Sequence, residues 1–132
     1  MSLFRLVVEL LADRLIPFAT IGAAALARHG VSRSTFDVDL LTTDPRTLDA
    51  SLWQDEAIGR AKQARILGAD VPVVTAPDLV LLKLYAGGPQ DAWDIRQLLD
   101  GDGDGSIART VDSTLGALSA DAAALWRRIR EG

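Results

Sequence analysis

The chain has no cysteine, only two lysines and a single histidine among its 132 residues. The absence of cysteine excludes disulfide bonds, thiolate metal sites and cysteine nucleophiles, and it fits the reducing cytoplasm in which we expect the protein. The apolar runs are too short to cross a bilayer, and no apolar segment precedes a small-residue cleavage site. We therefore expect neither a membrane span nor a signal peptide.

Acidic residues outnumber basic ones, 18 to 14, so the formal net charge is -4 and the sequence pI is about 4.8. Strong nonspecific binding to nucleic acid needs a basic surface that neutralises phosphates, so the composition argues against that class of protein. The hydrophobic fraction of 48% is ordinary for a globular protein. A chain of this length suits one domain with a single modest core.

The spacing of apolar residues predicts an α/β (α+β) fold: a small mixed sheet flanked by helices, with a helical C-terminal half. Leucines and valines at 3–15 give one apolar helical face, which Pro17 ends. The predicted core covers about 18–100 and the C-terminal helices about 107–131, all in one domain. The elements expected within them are strands at 18–22 and 36–42, a hairpin at 64–75, and helices at 23–28, 45–63, 79–86, 90–99 and from 107.

Three finer expectations concern the hairpin and the helix that follows the glycine pair 87–88. Residues 68–70 are expected to form the hairpin turn, which places Asp70 in the turn. Pro72 lacks a backbone N–H group and so indicates an edge strand. In the helix at 90–99, we expect the apolar side chains to be buried: Trp93, Ile95, Leu98 and Leu99.

Asp37 and Asp39 form the pattern with the clearest chemistry. Alternation along the strand at 36–42 places both carboxylates on one face, with apolar residues on the other. Two carboxylates this close repel each other unless a cation lies between them, and Mg²⁺ prefers oxygen ligands. This pattern favours phosphoryl or nucleotidyl transfer, in which the metal neutralises charge and aligns the attacking oxygen. A solvated strand face is the alternative reading.

A second acidic pattern lies at 100–107, where Asp100, Asp102 and Asp104 alternate with glycines. It matches the start of a calcium-binding loop. The twelfth loop position is Val111, where a bidentate Glu would be needed. Both a partial Ca²⁺ site and a simple Asp/Gly loop therefore remain open at this stage.

Together, several of these motifs resemble the nucleotidyltransferase superfamily with the DNA polymerase β-like fold. The closer resemblance is to the small bacterial nucleotidyltransferases related to abortive-infection toxin enzymes. The segments that carry it are IGAAALARHG at 21–30, RSTFDVDLL at 33–41, DLVLLKLYAGG at 78–88 and DAWDI at 91–95. They span roughly residues 18–100.

The resemblance implies a role for each of these residues. Asp37 and Asp39 would be the metal ligands, and Gly22 would make the tight turn that lets a triphosphate approach. Lys83 would reach towards the nucleotide, supported by Asp91 and Asp94. The remaining nucleotide-binding positions would be Ala23, Arg33, Ser34 and Thr35. The implied cofactor is Mg²⁺, the implied substrate is an NTP, and a toxin–antitoxin context is implied.

The sequence departs from the family pattern in two ways. Ala23 stands where many relatives have Gly or Ser, so no hydroxyl is available to phosphate there. No strand between residue 41 and the hairpin reads apolar–Asp–apolar, although the family usually supplies a third carboxylate from such a strand; the only later strand-associated carboxylate is Asp70, which is expected at the turn. We therefore expect either a working transferase or a catalytically impaired relative that binds nucleotide or protein. A lost core strand would expose a sheet edge, through which a homodimer or a partner protein would join.

Overall fold

The computed structural model describes residues 3–31, 39–42 and 53–132. Its elements confirm the α+β class and the helical C-terminal half. No helix in the described ranges has the length and apolar character needed to cross a membrane. In chain order the elements are α1 Leu3–Asp13, β1 Phe18–Ile21, α2 Gly22–Arg28, β2 Asp39–Thr42, α3 Trp53–Arg60, β3 Lys62–Ile66, β4 Ala69–Val73, α4 Ala76–Ala86, α5 Pro89–Asp100, α6 Ser106–Thr114, a 3-10 turn Leu115–Ala117 and α7 Ala120–Glu131.

The chain divides into two compact units. The first contains α1 to α3 and the four strands. The second contains α4 to α7, together with residues 29–31. Each unit has its own set of buried apolar side chains.

The sheet of the first unit has the strand order β2-β1-β4-β3. β1 pairs antiparallel with β2 and parallel with β4, and β3 pairs antiparallel with β4, so the sheet is mixed as expected. α2 packs against β1 and β2. Ala24, Ala25 and Leu26 are fully buried, because small side chains let this short helix lie close to the sheet.

The β3–β4 hairpin corrects two expectations. Its turn is Leu67–Gly68, where both residues have positive φ (48° and 80°), so Asp70 lies within β4 and not in the turn. Pro72 lies in a central strand, not an edge strand. β4 tolerates the missing N–H group because its pairing with β1 involves Thr20 and Val73, beyond the proline.

The helix expected at 45–63 is confirmed only in part. α3 covers Trp53–Arg60, while residues 43–52 lie outside the described ranges. Residues 62 and 63 belong to β3, where they pair with Val73 and Pro72. The predicted helix therefore extends too far toward the C-terminus. In a polar stretch such as this one, apolar residues are too few to show either a helical or a strand periodicity.

α1 forms as its apolar period predicts and ends near Pro17. Leu15 takes a left-handed conformation (φ 55°), and the N–H of Ile16 bonds to the carbonyl of Leu11 at 2.9 Å. These are the features of a Schellman ending, in which glycine is the usual residue at the left-handed position. Only Val8 of this helix is buried. The apolar surface of α1 is thus wider than the face that packs on the chain.

The second unit is organised around α4, which contacts α5, α6 and α7. Leu79, Val80, Leu81 and Leu84 are buried, as expected for a helix that is apolar on nearly all sides. In α5, Ile95 and Leu98 are buried and Leu99 is half-buried, but Trp93 is 43% exposed, which corrects its expected burial.

Candidate functional site

In the first unit, Asp39 lies against Gly22, where β1 passes into α2. Asp39 is the cross-strand partner of Ile21, the residue before the glycine. Gly22 has φ +71°, and a Cβ atom built there would lie 2.5 Å from Oδ2 of Asp39 and 3.2 Å from its Cγ. A residue with a side chain would collide with this carboxylate. Position 22 therefore favours glycine, both by its left-handed conformation and by the close approach of Asp39.

The other residues expected around this turn are placed only in part. Ala23 lies in the first turn of α2 and is half-buried. The second predicted metal ligand, Asp37, lies outside the described residues, as do Arg33, Ser34 and Thr35. The structure thus brings Gly22, Ala23 and Asp39 together in the first unit.

In the second unit, Lys83 is held by two carboxylates of α5. Its Nζ atom lies 2.9 Å from Oδ2 of Asp94 and 3.4 Å from Oδ1 of Asp91. The side chain of Asp94 is fully buried, and those of Lys83 and Asp91 are 12% and 22% exposed. Lys83 is thus paired with the two aspartates that the resemblance names as its supports. We call these three residues the lysine cluster.

The start of α5 explains the geometry of the lysine cluster. Gly87 and Gly88 end α4, and Pro89 begins α5. Oδ2 of Asp91 accepts a hydrogen bond from the N–H of Gly88 at 3.0 Å, so this carboxylate caps the helix as well as binding Lys83. Asp94 follows three residues later, which places it on the same face of the helix.

Gln90 belongs to the same arrangement, although it is not among the residues predicted from the sequence. Its Nε2 atom donates to Oδ1 of Asp94 at 3.1 Å, which leaves Oδ2 directed at Lys83. The spacing of Gln90 and Asp94, four residues apart on a helix, is the signal that could have identified this pair. A buried carboxylate held in this way fixes one lysine ammonium group, since an unpaired charge there would be costly.

The strands described after β2 offer one carboxylate, that of Asp70 in β4. The register aligns Thr20 with Val73, so Asp70 lies level with residue 17, whereas Asp39 lies level with residue 21. Four residues along a strand correspond to about 13 Å. Oδ1 of Asp70 instead lies 3.3 Å from Nη1 of Arg65, and both side chains are exposed. Asp70 is thus not placed as a third metal ligand beside Asp39.

The acidic loop before α6 has a capping role. Oδ2 of Asp102 accepts from the N–H of Ile107 at 2.9 Å, and Oδ1 of Asp104 accepts from the N–H of Ser106 at 3.0 Å. The backbone hydrogen bond from Ser106 is the main cause that lowers the pKa of Asp104. These carboxylates satisfy the free N–H groups at the start of the helix. Among the described residues, no three His, Asp or Glu side chains form a metal-binding group.

No protein-family model matches the chain, and no curated protein matches it significantly.

Proposed function

We propose that the protein is a metal-dependent nucleotidyltransferase-like protein that uses an NTP with Mg²⁺. The observation that carries the proposal is the approach of the Asp39 carboxylate to the backbone of Gly22. A carboxylate close to a glycine backbone suits a metal-bound phosphate chain, because Mg²⁺ is held by one or two carboxylates together with phosphate oxygens. Asp37 precedes Asp39 by two residues and would supply the second carboxylate.

In the proposed reaction, a hydroxyl of a protein, an RNA or a small molecule attacks the α-phosphorus of the NTP. The bond between this phosphorus and the bridging oxygen of the β-phosphate breaks, pyrophosphate leaves, and the hydroxyl proton passes to a base. Mg²⁺ bound at Asp37 and Asp39 would neutralise the phosphate charge. The resemblance implies that Lys83 would reach the nucleotide, and within the second unit its ammonium group is held by Asp91 and Asp94.

The proposal is tested with purified protein, Mg²⁺ and each of the four α-labelled NTPs. We expect Mg²⁺-dependent nucleotide binding by calorimetry and transfer of label to an acceptor. Asp39→Asn removes a ligand charge, so it should weaken binding and lower any transfer by about 10²-fold or more. Asp70→Asn is the matched control, since this exposed carboxylate of β4 lies away from Gly22, and it should leave both readouts unchanged. Absence of binding at millimolar nucleotide would refute the proposal.

A second candidate function is a catalytically impaired relative that serves as a nucleotide-binding or protein-interaction module. The position of Asp70, far along the sheet from Asp39, favours this candidate. Loss of a general base typically lowers a rate by ~10²–10⁴-fold, while metal and nucleotide binding survive. Mg²⁺-dependent binding without transfer would support the second candidate. Transfer that Asp39→Asn abolishes would eliminate it.

A further inference from the structure

Each aspartate of the lysine cluster uses its two carboxylate oxygens differently. Asp94 directs Oδ2 at the ammonium group of Lys83 and accepts a hydrogen bond at Oδ1 from the side-chain amide of Gln90. Asp91 directs Oδ1 at the same ammonium group and accepts a hydrogen bond at Oδ2 from the N–H of Gly88. Each carboxylate is thus held by Lys83 through one oxygen and by an uncharged donor through the other.

Gln90 is the uncharged donor that reaches Asp94. Its Nε2 atom lies 3.1 Å from Oδ1, and the side chain of Asp94 is fully buried although Gln90 itself is exposed. The two residues are four positions apart on α5, so the helix brings the amide next to the carboxylate. A carboxylate that is bonded at both oxygens loses contacts when it turns about its Cβ–Cγ bond. The bond from Gln90 therefore favours the orientation in which Oδ2 points at Lys83.

Gly88 acts on Asp91 in two ways. Its N–H donates to Oδ2 at 3.0 Å, and a Cβ atom built on Gly88 would also lie 3.0 Å from this oxygen. The φ of Gly88 is -82°, which any residue can adopt, so the backbone conformation does not call for glycine. The close approach of the carboxylate does. The lack of a side chain at position 88 lets Asp91 accept the N–H while it binds Lys83.

We propose that Gln90 and Gly88 are positioning residues, which fix the ammonium group of Lys83 through Asp94 and Asp91. A lysine carries its three donors on a flexible stem, so a fixed direction has to come from its partners. The consequence for binding rests on the proposed function, in which Lys83 reaches the NTP. A side chain that is already held loses less freedom when it binds a phosphate oxygen, so the nucleotide binds more tightly.

The position of Lys83 can be measured without a nucleotide. The chain has only two lysines, so protein labelled with ¹⁵N at lysine Nζ gives two ammonium signals in NMR, and Lys62→Arg assigns them. In the wild type we expect a sharp Lys83 signal that exchanges slowly with water, because this side chain is ion-paired and 12% exposed. Gln90→Met keeps the length of the side chain but removes the donor, so it should broaden or shift that signal. Gly88→Ala should do the same by displacing the Asp91 carboxylate.

The second measurement is the affinity for NTP with Mg²⁺, determined by calorimetry. Loss of one orienting hydrogen bond should weaken NTP binding about 3- to 10-fold in Gln90→Met and in Gly88→Ala. Gln97→Met is the matched control, because it makes the same change on α5 at a residue outside the lysine cluster. It should alter neither the Lys83 signal nor the affinity. A contribution of Gln90 and Gly88 to folding alone would lower the free energy of unfolding and leave both readouts unchanged.

Circular dichroism of each variant checks the fold, and Gln90→Met decides alone if Gly88→Ala does not fold. The inference is overturned if the Lys83 signal of Gln90→Met matches that of the wild type, or if Gln97→Met changes it equally. It is also overturned if the signal changes while the affinity for NTP does not. A wild type that binds no NTP refutes the proposed function instead, and the NMR comparison still decides whether Gln90 holds Lys83.

Discussion

At the scale of single residues, Gly22 carries two constraints that can be separated by experiment. Its φ of +71° disfavours any side chain, and a Cβ there would lie 2.5 Å from Oδ2 of Asp39. Gly30 has φ +89°, but a Cβ built there would meet nothing within 4 Å. The comparison of these two glycines isolates the contribution of the carboxylate.

We predict that Gly22→Ala lowers the free energy of unfolding by clearly more than Gly30→Ala. The left-handed conformation alone costs alanine about 1–2 kcal/mol, and only Gly22→Ala adds a collision with Asp39. Chemical denaturation of both variants measures the difference. Adding Asp39→Ala to Gly22→Ala should recover part of the loss. If the two glycine variants lose equal amounts of unfolding free energy, the close approach of Asp39 to Gly22 does not contribute to the cost of the substitution.

At the scale of secondary-structure elements, the lysine cluster connects α4 to α5. Lys83 comes from the apolar helix α4, and Asp91 and Asp94 come from the first two turns of α5. Asp94 is fully buried, and its carboxylate bonds both to Lys83 of α4 and to Gln90 of its own helix. The cluster thus contributes to the packing of this helix pair, whatever its part in nucleotide chemistry.

We predict that Lys83→Met destabilises the protein by about 3 kcal/mol, because it removes the ammonium group that lies 2.9 Å from the buried carboxylate of Asp94. Lys62→Met is the matched control: Lys62 is exposed on β3, and its loss should change stability by less than about 0.5 kcal/mol. The double variant Lys83→Met with Asp94→Leu should lose less than Lys83→Met alone, since it removes both charges. Urea titration followed by circular dichroism measures all three. A loss for Lys83→Met no larger than that for Lys62→Met would contradict the prediction.

At the scale of the whole molecule, the sequence predicts most of the helices and strands, but it predicts the strand order and the burial of individual side chains less well. Apolar period, capping residues and glycine pairs act locally, so α1, α4, α5 and the hairpin can be predicted. Strand order depends on pairing between distant segments, which is why Pro72 suggested an edge. Burial within α5 was misjudged for a similar reason. Asp94 is fully buried in an ion pair with Lys83, whereas Trp93 of the same turn is 43% exposed.

Some features of the candidate site can likewise be predicted from the sequence, and others cannot. The closeness of Asp39 to Gly22 follows from a strand that runs into a helix beside an antiparallel neighbour, a pattern that a sequence can suggest. The resemblance suggests the lysine cluster, and the i, i+4 spacing of Gln90 and Asp94 permits their contact, but the choice of Oδ1 for Gln90 and Oδ2 for Lys83 depends on side-chain geometry. The position of Asp70 cannot be predicted from the sequence alone. Its distance from Asp39 becomes evident only through the register of β4 on β1.

The pH dependence of overall stability gives a final prediction. Hydrogen bonding to Ser106 lowers the pKa of Asp104 from its ordinary value of 3.8, so the folded state holds this proton less tightly than the unfolded state. The group therefore stabilises the fold above pH about 3.8, and this contribution is lost as pH falls through the lowered pKa. Asp104→Asn keeps an oxygen acceptor for the Ser106 N–H group but does not titrate. We expect the wild type to be more stable near neutral pH and the two unfolding curves to converge in strong acid, as measured by denaturant titration between pH 2 and 7. If the difference in unfolding free energy between the wild type and Asp104→Asn stays constant from pH 2 to 7, the charge of Asp104 does not stabilise the start of α6.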